Sequence, residues 1–284
     1  MATELEIGAD YRQSHPVAIE LVVTDLDGTL WETPSTIHPT TIPAVRELDR
    51  RGIPLMVATG RRLESTRAPL ADHGLTPPVV VLNGALAIDL ASGERIHRHG
   101  FTAERATEVL DAFLDSGISP GVYVDDDEVH VFVGDEPSTH PEHLESFGEW
   151  VRTRDLHEVV AELPILAFAV LAVSPSVVEG LEGPLRALAN PHVSSERQYG
   201  GGLTVTVAPP GLSKWDGVTA FCEHKGLDAT KVLAMGDGPN DLELLDGAAV
   251  AVVMADGHPD ALARADHVVA RSAEGGWAQV LDLL

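Results

Sequence analysis

The sequence predicts an α/β protein, a parallel sheet covered by helices and interrupted by an α+β insert. Three observations carry that prediction. Short apolar runs recur at about 19–25, 53–58, 78–82, 232–235 and 249–253, and most are separated by segments with helical spacing. Near-continuous apolar strands alternating with helices suit a parallel sheet buried on both faces. Four of these runs end in polar, glycine-marked segments: Asp25/Asp27/Gly28, Thr59/Gly60, Asn83/Gly84 and Gly236/Asp237. Between 86 and 202 the pattern changes to alternating apolar and polar residues, as expected of antiparallel strands.

Taken in order, residues 1–18 read as a loose, acidic extension, and the first strand follows at about 19–25. Pro39, Ile42, Val45 and Leu48 share helical spacing over 39–51, and Gly52 supplies a stop. A strand at 53–58, a helix to about 72 and a strand at 78–82 complete the first part of a core spanning 19–85. In the insert, 86–202, strands are expected around 122–124, 129–133 and 165–173. The acidic run Asp125-Asp126-Asp127-Glu128 forms a solvated hairpin turn. A strand candidate at 203–207 shares the character of the insert, although the core is set to resume over 203–284; there the α/β rhythm returns near 209, and a helix at 214–225 places Val218, Phe221 and Cys222 on one face. Later elements are strands at 232–235, 249–253 and 267–269, and a helix at 258–265.

Composition narrows the function. The 284 residues suffice for a large core and two domains, and the mean hydropathy of +0.05 is that of a folded, water-soluble chain. The longest apolar run, 164–173, is about half the ~20 residues a membrane-spanning helix needs. The polar start lacks the pattern of a signal peptide, and a single cysteine, Cys222, fits a reducing cytoplasm. A net charge of −25 argues against nucleic acid or an anionic membrane as partner. An anion site in such a chain must be locally positive. Of the 19 basic residues only Lys214, Lys225 and Lys231 are lysines, all in one C-terminal stretch.

Asp25 and Asp27 are two residues apart, so both carboxylates reach one point past a strand end. Two anions there repel unless a divalent cation with oxygen ligands holds them. Beside such an ion one carboxylate can attack phosphorus while the other handles a proton. Ligands in open parallel sheets sit at the carboxyl ends of the strands, which is where the four polar segments fall. Asp237 and Asp241, four apart at a helix start, can share a face.

In order, Asp25-Leu26-Asp27-Gly28-Thr29-Leu30, Ala58-Thr59-Gly60-Arg61, Leu212-Ser213-Lys214 and Gly236-Asp237-Gly238-Pro239-Asn240-Asp241 resemble the four motifs of the haloacid dehalogenase superfamily. The nearest likeness is to its Cof-type sugar-phosphate phosphatases. Trp215 departs from the pattern, since many relatives have glycine after the lysine. The resemblance implies a Rossmann-like core and a Mg2+-dependent phosphomonoester hydrolase acting on a small phosphorylated metabolite, such as a sugar phosphate. Asp25 is then the nucleophile and Asp27 the acid and base. Thr59 and Lys214 hold the phosphoryl oxygens. Gly60, Arg61, Asn83, Gly84 and Asn240 line the substrate side. Asp25, the Asp27 carbonyl, Asp237 and Asp241 bind the metal, Asp241 directly or through water. A phosphotransferase or phosphomutase of the same superfamily, or a non-catalytic phosphosugar-binding protein, are the competing readings.

The stretch from Asp25 to Thr59 is too short for an inserted domain, whereas well over a hundred residues separate Asn83 from Lys214. That spacing sets the insert between motifs two and three, the C2 cap position of this superfamily. A cap there closes over the site and contacts the leaving group. His130, Arg197 and Tyr199 are its specificity candidates by polarity. Lys214 opens a helix whose apolar face is core. Its side chain is expected to reach the strand ends freely, and its removal to cost catalysis with little stability.

Overall fold

The computed structural model describes residues 18–33, 36–195 and 201–284. The expected loose extension, apart from its last residue, and the candidates Arg197 and Tyr199 lie outside the described residues. The first part of the chain builds β1 (Leu21–Thr24), β2 (Leu55–Ala58), β3 (Pro78–Val81), β4 (Leu86–Asp89) and β5 (Arg95–Arg98). Helices α1 (Thr41–Arg50) and α2 (Leu63–Asp72) make the crossovers. The middle of the chain holds α3 (Ala103–Asp115), β6 (Gly121–Val124), β7 (Val131–Val133), α4 (Pro141–Ser146), β8 (Val151–Thr153) and α5 (Leu156–Glu162). It continues through β9 (Ile165–Val173), α6 (Pro175–Leu188), β10 (Asn190–Ser195) and β11 (Leu203–Ala208). The chain closes with α7 (Lys214–Lys225), β12 (Val232–Gly236), α8 (Leu242–Gly247), β13 (Val250–Met254), α9 (Pro259–Leu262) and β14 (His267–Val269).

Two sheets result. The first runs β14-β13-β12-β1-β2-β3-β4-β5, and the second β10-β11-β9-β6-β7-β8. From β14 to β3 all neighbours are parallel, and β1 lies between β12 and β2. All four residues of β1 are buried, as a central strand covered on both faces requires. Helix α7 packs close enough to this sheet that a Cβ on Gly217 would sit 2.6 Å from a Val80 methyl.

Two boundaries differ from the sequence reading. Strands β4 and β5, expected in the insert from residue 86, extend the first sheet as antiparallel strands. Strand β11, past the boundary set at 203 but of the insert's character, pairs with β9 and β10 in the second sheet, so the boundary falls later. A tight turn at Leu82–Gly84 lets β3 fold straight back onto β4. Hydrogen bonding to a neighbour decides sheet membership, and a strand's composition does not reveal that neighbour. The acidic turn also differs. Strands β6 and β7 do form the hairpin, but the Asp125 side chain is only 3% exposed and pairs with Arg95 and Arg98, and Asp127 with Arg95. The turn thus clasps β5 across the two sheets.

Candidate active site

The adjacent strand ends β12, β1, β2 and β3 converge on one centre. Asp25 follows β1 directly and is held by its own N–H donating to the Met235 carbonyl of β12 (2.9 Å). Lys214 opens α7 at the same point. Its Nζ donates to Asp25 Oδ1 at 2.6 Å and to Asp241 Oδ1 at 2.7 Å, and its side chain is fully buried. Asp216 fixes this helix end by accepting from the Ser213 N–H (2.8 Å) and hydroxyl (2.7 Å). The other oxygen of Asp241 accepts the N–H groups of Asp237 (3.0 Å) and Gly238 (2.9 Å). Asp241 therefore ties the lysine to the loop that presents Asp237. Thr29 donates to Asp237 Oδ1 at 2.9 Å. Gly28, at φ +88°, is required there, because a Cβ would lie 2.3 Å from Asp237 Oδ2.

The carboxylate of Asp27 turns elsewhere. Arg61 grips both its oxygens, Nε to Oδ2 at 2.5 Å and Nη2 to Oδ1 at 2.7 Å, and Trp31 Nε1 donates to Oδ1 at 3.0 Å. The guanidinium stands 5.9 Å from the Trp31 ring centre. Nη1 of Arg61 also meets the Ser65 carbonyl at 3.3 Å, so three of the five guanidinium N–H donors are engaged within the protein, two of them on Asp27. Thr59 is buried beside the centre and its hydroxyl accepts the Arg61 N–H (3.2 Å). Asn83, at φ +53°, accepts from Asn240 Nδ2 at 3.1 Å, with Gly60 packed against its amide. Gly84 sits behind the helix start, where a Cβ would fall 2.0 Å from the Ser213 carbonyl oxygen.

Burial pushes Asp25 well above the usual carboxylate range. Lys214 opposes that shift, and the neighbouring charges of Asp241, Asp237 and Asp27 add to it. Lys214 is held charged and pushed up: burial works against its charge, but Asp241 and Asp25 outweigh it.

Residues 22–281 match a family model described as haloacid dehalogenase-like hydrolase. The chain belongs to the haloacid dehalogenase-like hydrolases. Among proteins of this kind it is 25% identical over 271 residues to the pyridoxal phosphate phosphatase of Escherichia coli (strain K12), covering 92% of this chain and 97% of that one. It is 28% identical over 260 residues to the phosphoglycolate phosphatase of Methanopyrus kandleri, covering 90% and 93%. Its fold matches that of a haloacid dehalogenase-like hydrolase from B. subtilis with a TM-score of 0.76 at 18% identity, over 93% of this chain and 99% of the other.

Members of the haloacid dehalogenase-like hydrolases generally use a divalent metal, and the donor set of this one fits such an ion. Asp25, Asp237 and Asp241 each bring a carboxylate oxygen within 4.8 Å of the others. With Asp27 the centre has four carboxylates against the cations Lys214 and Arg61. Hard oxygen donors of this kind suit a divalent ion. Of the residues expected in this hydrolase's site, the structure gathers Asp25, Asp237, Asp241 and Lys214 in one cluster. Asp27 and Arg61 form a pair beside it, and Thr59, Gly60, Asn83 and Asn240 a third group. His130 lies apart, stacked on Trp150 at 4.4 Å and lining a small cleft with Arg62, Leu82 and Tyr123. Trp31 and Thr29 escaped the sequence reading as partners, although Thr29 lies within the first motif. No helix among the described residues is long and apolar enough to cross a membrane.

Proposed function

We propose that this hydrolase cleaves small phosphomonoesters, sugar phosphates among them, through an aspartyl-phosphate on Asp25. The observation that carries the reading is the separation of two neighbouring carboxylates by environment. Asp25 is almost buried and ion-paired to Lys214, whereas Asp27 is 39% exposed and held by Arg61 and Trp31. Such a division assigns different tasks to the two groups. Asp25, whose ionised form Lys214 favours against the effect of burial, attacks phosphorus as the bond to the leaving oxygen breaks. Asp27, once the Arg61 fork that holds both its oxygens here lets one go and that oxygen takes up a proton, gives the proton to the leaving oxygen, then takes one from the water that attacks the phosphoryl group and frees Asp25. Lys214 and the Thr59 hydroxyl offer donors to the transferring oxygens. Asp25, the Asp27 carbonyl and Asp237 would hold Mg2+, with Asp241 fixing their loop. When bound, the ion neutralises charge that grows on the phosphoryl oxygens. The second-sheet domain is the cap that covers this centre.

The test is phosphate release by wild type and Asp25→Asn, with Mg2+ and with EDTA, in the absence of any sugar acceptor. Wild type is expected to turn over only with the divalent ion. Asp25→Asn should lose several orders of magnitude, about 10⁴-fold or more, because its amide is a poor nucleophile. Full activity in EDTA, or a variant that keeps a hundredth of the rate, overturns the assignment. Turnover that depends on an added sugar acceptor would indicate phosphotransfer instead.

A further inference from the structure

Side chains alternate across a strand, so Asn190, His192 and Ser194 of β10 share one face. On β11, Thr206 stands opposite His192 and Thr204 opposite Ser194, which extends that polar face by one strand. Ala169 of β9 pairs with Thr206 and adds only a methyl group. The other face of these strands, Val205 and Val207 with Phe168 and Val170, is packed into the core of the second-sheet domain.

Two observations direct the polar face at the catalytic centre. Asn190 Nδ2 donates to the Leu212 carbonyl at 3.0 Å, two residues before Lys214. Strand β11 packs against the Leu82–Gly84 turn, which carries Asn83 and Gly84. His192 lies one pleat further along β10 from Asn190. Its ring is pushed down to about 4, chiefly by burial and next by Lys214, so at neutral pH it is uncharged, with one N–H and one lone pair. Arg186, whose charge it also feels, is engaged by Glu182 at 2.6 Å.

Along this strip two buried polar atoms, His192 Nε2 and Thr204 Oγ1, have no hydrogen-bond partner. They are diagonal neighbours on adjacent strands. Buried polar groups are nearly always paired, so two orphans on a face whose edge meets the segment leading into Lys214 point to a ligand that pairs them. The strip's described side chains are amide, imidazole and hydroxyls, without a cation. We infer that this face of β10 and β11 is the leaving-group subsite, with His192 and Thr204 as specificity-determining residues that hydrogen-bond an uncharged, hydroxyl-bearing leaving group. A carboxylated leaving group finds no counter-charge among the strip's described side chains. The inference rests on the phosphomonoester reading above.

The test measures kcat and KM with Mg2+ for three probes: a hexose 6-phosphate, phosphoglycolate, and p-nitrophenyl phosphate, whose leaving group offers no hydroxyl donor. The proteins are wild type, His192→Ala, His192→Gln and Thr204→Val. Wild type is expected to favour the hexose phosphate over phosphoglycolate. His192→Ala and Thr204→Val should each raise KM for the hexose phosphate about tenfold, the size of one lost hydrogen bond. For p-nitrophenyl phosphate the rise should be markedly smaller. His192→Gln, which keeps a donor and an acceptor, should restore most of the hexose phosphate KM. Equal losses on both substrates, no rescue by glutamine, or a preference for phosphoglycolate overturns the subsite. Wild type that cleaves p-nitrophenyl phosphate but not the hexose phosphate overturns the subsite alone. No turnover of any probe overturns the phosphomonoester reading with it.

Discussion

A lysine sealed between two carboxylates answers to different physics from a lysine at the surface. Lys214 reaches Asp25 and Asp241 with no exposure, so its loss leaves two buried anions facing each other. The sequence reading expected a side chain free to swing and a variant of nearly normal stability. The geometry reverses the second expectation. Lys214→Ala should lower stability in EDTA by roughly 3–5 kcal/mol, the usual cost of breaking a buried pair from one side. It should also lower kcat/KM about 10²- to 10³-fold. Lys225→Ala is the comparison, since Lys225 touches Asp89 and Glu94 only at 3.7 Å from a partly exposed position. Its effect should stay within about 0.5 kcal/mol. Urea unfolding and phosphate release on the same preparations check both numbers, and equal stabilities for the two variants would contradict the buried pairs. Residue identity at the centre was legible because each motif is local and follows a strand. The pairing of Arg61 with Asp27 was not, because nothing in Thr59-Gly60-Arg61 says which way a long side chain turns.

Helix α7 depends on how closely the chain approaches its first turn. At Gly84, φ is +113° and any Cβ would meet the Ser213 carbonyl, a backbone atom that cannot rotate away. Gly84→Ala should therefore push the start of α7 off the strand ends, costing roughly 3 kcal/mol and most of the activity. Gly180→Ala is the opposite case. Gly180 lies inside α6 with open space around it, so alanine should stabilise by about 0.5–1 kcal/mol. Thermal melts of both variants test the pair, and a neutral Gly84→Ala would refute the close approach. At this scale the sequence was readable wherever an element is apolar and continuous. The run from Val232 and the helix at Lys214–Lys225 emerged as expected. It was unreadable at β5, whose Arg95-Ile96-His97-Arg98 is mostly polar with both arginines exposed, and which belongs to the first sheet only because β4 folds back beside it.

Across the whole molecule the charge of −25 sets a repulsion that no single pair relieves. Added salt screens it, with a Debye length falling from about 30 Å at 0.01 M to about 8 Å at 0.15 M. The melting temperature should therefore rise by a few degrees, roughly 2–5 °C, over that range of NaCl. A fall would mean that ion pairs such as Arg95–Asp125 outweigh the repulsion. The approach of the β10–β11 face to Lys214 was illegible in the sequence, since it arises only after a long excursion of the chain returns to its origin. The strand order has one more consequence, for synthesis on the ribosome. Strand β1 lies between β2 and β12, so the nascent chain carries an unpaired β1 edge until β12 emerges. The bond between Thr29 and Asp237 spans 208 positions, a measure of that delay. An open apolar edge is a template for pairing with other chains. Truncation shortly before Val232 should thus yield an inactive, aggregation-prone chaperone client, however complete the second sheet already is.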